Sequence, residues 1–189
     1  VFGVSMFYKY ISVCMLAIIS MAPNAHAKHV VGANLGYGGS NYDVTHNKED
    51  GDAFMGELYY RYMVDTNWGI ETGYKGGFNG FASMLTSPIT EVTDTGFGGP
   101  RVSGYVSYPL GNGFELYGKG GLTYYTLNYT IRDRNTGHKQ YYDDSTLGGE
   151  LAGGVTWGSE YFGLNLEYNY ATNDNFNVGG VVFGAYMKF

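Results

Sequence analysis

The chain has 189 residues, room for one ordinary domain, and carries a formal net charge of −6. It holds 20 Tyr, 11 Phe and 2 Trp beside 31 Gly, with only 15% charged residues. That aromatic content excludes a disordered chain, and glycine without a three-residue period excludes collagen. Gly and Tyr in place of long Ala/Leu/Glu/Lys stretches argue against a helical bundle.

Residues 1–27 contain one charge, Lys9. An apolar run over residues 10–21 follows it, then the small-x-small triplet Ala25-His26-Ala27. This pattern predicts a secretory signal peptide cleaved after Ala27, with Ala25 and Ala27 as the cleavage-site residues. The apolar run is too short to span a membrane comfortably. Cys14, the single cysteine, lies inside it, so residues 28–189 carry no disulfide. Cleavage also removes Lys9, which leaves ten basic against seventeen acidic residues, a net −7. A nucleic-acid partner needs a basic face, so none is expected.

From residue 28 onward the hydrophobic period is two, the mark of strands. Segment one, residues 30–42, sets Val31, Ala33, Leu35 and Tyr37 against Gly32, Asn34 and Gly36. Segment two, residues 53–65, alternates Phe54, Leu58, Tyr60 and Tyr62 with Met55, Glu57, Tyr59 and Arg61. In segment three, residues 68–80, Trp68, Ile70, Thr72 and Tyr74 oppose Glu71 and Lys75. Segment four, residues 96–109, sets Val102, Val106 and Tyr108 against Arg101, Ser103 and Tyr105. Segment five, residues 114–130, sets Phe114, Leu116, Leu122 and Tyr124 against Glu115, Tyr117 and Lys119. Leu147, Leu151, Val155 and Trp157 face Thr146, Glu150 and Thr156 in segment six, residues 141–157. Segment seven, residues 161–171, is the cleanest, with Phe162, Leu164, Leu166, Tyr168 and Tyr170 against Asn165, Glu167 and Asn169. Segment eight, residues 177–189, sets Val181, Phe183, Ala185, Met187 and Phe189 against Val182, Tyr186 and Lys188.

The links alternate in length. Residues 65–67, 110–113 and 158–160 are tight turns rich in turn formers. Residues 43–52, 81–95, 131–140 and 172–176 are expected as longer loops. Eight strands with this rhythm predict an all-β, eight-stranded antiparallel transmembrane barrel, with short periplasmic turns, longer extracellular loops and both termini periplasmic.

A soluble barrel also alternates, but with its apolar face inward. Two features choose the membrane. Every mid-strand charge falls on one parity: Glu57, Glu71, Glu115, Glu150 and Glu167 against Arg61, Lys75, Arg101, Lys119 and Lys188. Balanced charge is what a narrow lumen demands, because an unpaired buried charge is costly. Glu57, Lys75, Arg101, Lys119, Glu150 and Glu167 count to similar depths and are expected to form one ion-pair belt. The apolar face also carries aromatics near both strand ends. Trp68, Tyr108, Phe114, Trp157 and Phe162 lie by the short turns; Tyr37, Phe54, Phe78, Tyr124, Tyr168 and Tyr170 lie toward the loops. Two such girdles suit the headgroup layers.

Residues 179–189 (GGVVFGAYMKF) resemble the C-terminal strand by which assembly machinery recognises outer-membrane barrels, with Phe189, Met187 and Phe183 as its signal residues. The whole pattern from residue 28 resembles the small OmpA/OmpX-type outer-membrane β-barrel family. The resemblance implies an integral protein of the bacterial outer membrane, probed from outside through mobile loops. Its partners would be membrane lipid and lipopolysaccharide, the barrel-assembly machinery, and host or environmental ligands at the loops. OmpX-like barrels are nearer than full OmpA, since no peptidoglycan-binding domain is expected after Phe189. The expected role is structural or adhesive, by a monomer. A narrow porin-like channel is the alternative and a lipid A-modifying enzyme a weaker one.

Chemistry finds little support. His29, His46 and His138 adjoin no Ser or carboxylate in a catalytic arrangement. Asp43, His46, Glu49, Asp50 and Asp52, or Asp143-Asp144, could attract a cation, but none matches a calcium loop. No catalytic residue, cofactor or metal is expected.

Overall fold

The computed structural model describes residues 28–44, 47–79, 96–132, 139–173 and 176–189. Eight strands run β1 (His29–Val44), β2 (Asn47–Met63), β3 (Trp68–Asn79), β4 (Gly96–Gly111), β5 (Phe114–Arg132), β6 (Lys139–Gly158), β7 (Phe162–Thr172) and β8 (Phe176–Lys188). Each pairs antiparallel with its neighbour in sequence, and β8 pairs with β1, so the sheet closes into a barrel with no free edge.

Tight turns join the strands at one end. In the β4–β5 turn Gly111, Asn112 and Gly113 all take positive φ (93°, 54° and 80°), a conformation open to glycine and tolerated by asparagine. The expected ten-residue loop 43–52 is different: pairing continues from Tyr37↔Phe54 to Val44↔Asn47. The β5–β6 pairing likewise runs on to Arg132↔Lys139. The hydrophobic alternation fades over these residues while the ladder persists. Polar sequence hides strand there without preventing it. Residues 81–95 lie outside the described residues.

The two faces settle which side is the inside. On β7 every even-numbered residue from Phe162 to Thr172 is exposed and every odd-numbered one is buried. Leu58 and Leu151 are 68% and 69% exposed, whereas Glu71 and Lys75 are 0% and 1%. A soluble fold would not expose its leucines and bury its charges. A barrel immersed in lipid must do so, because hydrocarbon is the outer solvent.

Candidate functional site

Eight strands leave an interior just wide enough for side chains to fill. Three layers fill this one. At the loop end Met55, Phe97, Tyr125, Val178 and Val182 form an apolar cluster. At the turn end Val30, Tyr59 and Tyr186 form another, with Met63 against it. Between them lies a band of paired charges.

Strand parity aims this middle layer inward. Arg101 on β4 reaches carboxylates on three other strands: Glu57, Glu71 and Glu150, the last at 3.5 Å. Glu71 gathers three cations. Its cross-strand partner Arg61 donates to it from Nε at 2.7 Å, Lys119 from Nζ at 3.1 Å, and Arg101 completes the set. Lys75 spans the lumen from β3 to Glu150 on β6 at 2.9 Å and also donates to Asn169. Lys119 meets Glu167 at 2.9 Å. Neutral groups occupy remaining lone pairs: Asn34 donates to Glu57 at 2.8 Å, Tyr117 to Glu167 at 2.7 Å and Tyr125 to Glu150 at 3.2 Å. Asn165 extends the chain to Asn34 at 3.2 Å. The Arg61 guanidinium lies 3.5 Å over the Tyr105 ring, which stacks on Tyr117 at 5.4 Å.

The structure thus brings the six counted belt residues together and adds Arg61 and Glu71 to them. Tilted strands put equal counts from a turn at unequal heights, so counting alone does not bring Arg61 and Glu71 to the level of the other six. The remaining pair, Lys188 and Glu115, sits apart at the turn-side rim, 3.5 Å across and partly exposed. Asn34, Asn165 and Asn169 were visible as inward-parity amides, but nothing in a sequence without charge contrast singles them out.

At the closing seam His29 and Phe189 exchange backbone hydrogen bonds of 3.1 and 2.9 Å, and their rings stack at 5.7 Å. His29 Nδ1 also lies 2.6 Å from the Tyr60 hydroxyl. Phe183 faces the lipid side and Met187 is half-buried. Ala25, Ala27, His46 and His138 lie outside the described residues, as do the side chains of Asp43, Glu49, Asp50, Asp143 and Asp144. Among the described residues no group of three His, Cys, Asp or Glu is placed to hold a metal ion.

The sequence profile of the outer membrane protein beta-barrel domain matches residues 11–189. The chain belongs to that family. It is an integral outer-membrane barrel, and its fold is shared with solved bacterial structures. Neisserial surface protein A (NspA) superposes with a TM-score of 0.67 at 14% identity, covering 88% of this chain and 100% of its own. Ail, the attachment invasion locus protein of Yersinia pestis, gives 0.55 at 19%, covering 86% and 99%. The N-terminal barrel of Pseudomonas aeruginosa OprF gives 0.50 at 13%, covering 85% and 97%. Ail has also been solved in complex with the heparin analogue sucrose octasulfate. No curated protein matches this sequence.

Proposed function

We propose that this outer-membrane barrel is a surface-display protein: a closed scaffold whose hairpins present adhesive or host-contacting loops outside the cell. The observation that carries this reading is the connected charge band, in which four cations and four carboxylates are buried and paired across the bore. Groups so paired are expensive to separate, so the lumen works as a core and not as a path. A structural neighbour named for attachment and invasion, solved with a sulfated sugar, supports external contact as the role. In this reading the chain is not an enzyme. It acts as a monomer amid lipid and lipopolysaccharide, and residues 1–27 are its export signal, cut after Ala27. The short turns and both barrel ends of the chain, Lys28 and Phe189, face the periplasm. Phe189, with Met187 and Phe183, addresses the strand to the assembly machinery.

The deciding experiment is host-cell binding by bacteria that express the protein, before and after protease shaving of the surface. Binding lost on shaving, with purified protein silent in planar bilayers, is the expected result. Steady single-channel conductance with no cell binding would favour the narrow-pore reading instead.

A further inference from the structure

An arginine side chain carries five N–H donors in a fixed fork. At Arg101 four of them have acceptors. Nη2 serves Glu57 and Glu71. Nη1 donates to Ser103 Oγ at 3.1 Å and lies 3.5 Å from Glu150 Oε1. The fifth donor, on Nε, has no hydrogen-bond partner among the described residues. Arg61, the other arginine of the band, differs in this respect, because its Nε donates to Glu71 at 2.7 Å.

Two more atoms of the same patch share that condition. Thr123 stands opposite Arg101 across the β4–β5 ladder, and its Oγ1 has no hydrogen-bond partner among the described residues. Glu150 lies diagonally across from Thr123 on β6, opposite Gly121. Its Oε2 accepts from Lys75 at 2.9 Å and from Tyr125 at 3.2 Å. Its Oε1 accepts no hydrogen bond and has only the longer approach of Arg101 Nη1. The other two corners of the patch are Gly121 and Gly148, which carry no side chain; a Cβ at Gly148 would stand 3.1 Å from Thr123 Oγ1. Arg101, Thr123 and Glu150 are 2%, 1% and 2% exposed, so bulk water does not answer these atoms.

Their chemistry defines what would. The Arg101 Nε–H only donates, the Glu150 oxygen only accepts, and the Thr123 hydroxyl does either. A bridging group must therefore accept one bond and donate another. A cation is repelled by Arg101 and an anion by Glu150. Water meets both demands, and a buried water makes two to four such bonds.

We propose that one water molecule is bound here as a fixed member of the charge band. It accepts from Arg101 Nε, donates to Glu150 Oε1 and forms its third bond with Thr123 Oγ1. It thereby bridges an arginine and a carboxylate whose direct contact is long. The apolar cluster that includes Tyr125 covers it on the loop side. The site belongs to the lumen alone and does not depend on what the loops bind.

Water–protein cross-relaxation tests it, by NMR of the full chain folded in lipid bicelles. The Nε–H protons of Arg101 and Arg61 are assigned through bonds and compared. Arg101 should give a dipolar cross-peak to water, and Arg61 should give none. Thr123→Val combined with Ser103→Ala removes the hydroxyls that could relay the signal by exchange, and the cross-peak should persist. Thr123→Leu fills the space beside Gly148 and should abolish it. No cross-peak at Arg101, equal cross-peaks at the two arginines, loss in the hydroxyl-free variant, or persistence in Thr123→Leu would each overturn the bound water. If either variant fails to fold, the comparison of the two arginines in the unaltered chain still decides.

Discussion

Arg101 shows how much one lumen side chain holds. It faces Glu57, Glu71 and Glu150 on strands β2, β3 and β6, and it is 2% exposed. Arg101→Leu therefore takes from Glu57 the cation it is paired with, and takes one cation each from Glu71, which keeps Arg61 and Lys119, and from Glu150, which keeps Lys75. Breaking a buried pair from one side costs about 3–5 kcal/mol. Urea unfolding in lipid vesicles should show a loss of that size, whereas Glu160→Leu in the exposed β6–β7 turn should scarcely move the midpoint. Arg101→Leu combined with Glu57→Leu should recover part of the loss, because the two share one network. Additive losses would mean that the contacts do not couple. The charge parity of these residues was legible in the sequence, since alternation is a local property. Their partners were not. Lys75 and Glu57 are register neighbours, yet Lys75 reaches across the bore to Glu150. That choice depends on strand tilt and on which neighbour already holds Arg101, and both are properties of the closed barrel alone.

At the level of the strand, β7 is the clearest case, because its six outward and five inward residues meet different surroundings. Leu164 faces lipid and Asn165 faces the lumen. Leu164→Arg should cost about 2–4 kcal/mol if it lies near the bilayer midplane, the measured range for arginine there. Fluorescence-monitored unfolding from vesicles checks it, and a neutral result would remove residue 164 from the hydrocarbon. Strand ends were read less well than strand middles. β2 begins at Asn47, six residues before the alternation makes it visible. Asn47-Lys48-Glu49-Asp50-Gly51-Asp52 reads as a loop by composition, yet each residue pairs with β1. Turn direction gives a second prediction at this scale. An epitope inserted between Gly137 and His138 should be reached by antibody on intact cells, and one between Ser159 and Glu160 should not. The reverse labelling would invert the proposed orientation.

For the whole molecule the decisive event is closure, when the first strand finds the last. The β1–β8 ladder runs from Val30↔Lys188 to Tyr42↔Phe176, and the His29–Phe189 hydrogen bonds add its final rung. Two explanations of Phe189 make different predictions. If Phe189 is a recognition signal, assembly machinery reads it before closure, when His29 is not yet beside it. If Phe189 matters only as packing, its value is the ring stack on His29 and the last pair of hydrogen bonds. Deleting Phe189 removes both roles, whereas His29→Ala removes the stack and the Tyr60 contact but keeps the backbone rung. The heat-modifiable folded band can be followed in cells and, separately, during unassisted folding into vesicles. A signal role predicts that the deletion slows assembly strongly in cells and weakly in vesicles, with His29→Ala mild in both. A packing role predicts that the two variants slow folding alike in vesicles, and that cells add nothing further. The first pattern is expected, since one ring contact at a partly exposed seam is worth only about 0.5–1.5 kcal/mol, too little to account for an assembly failure.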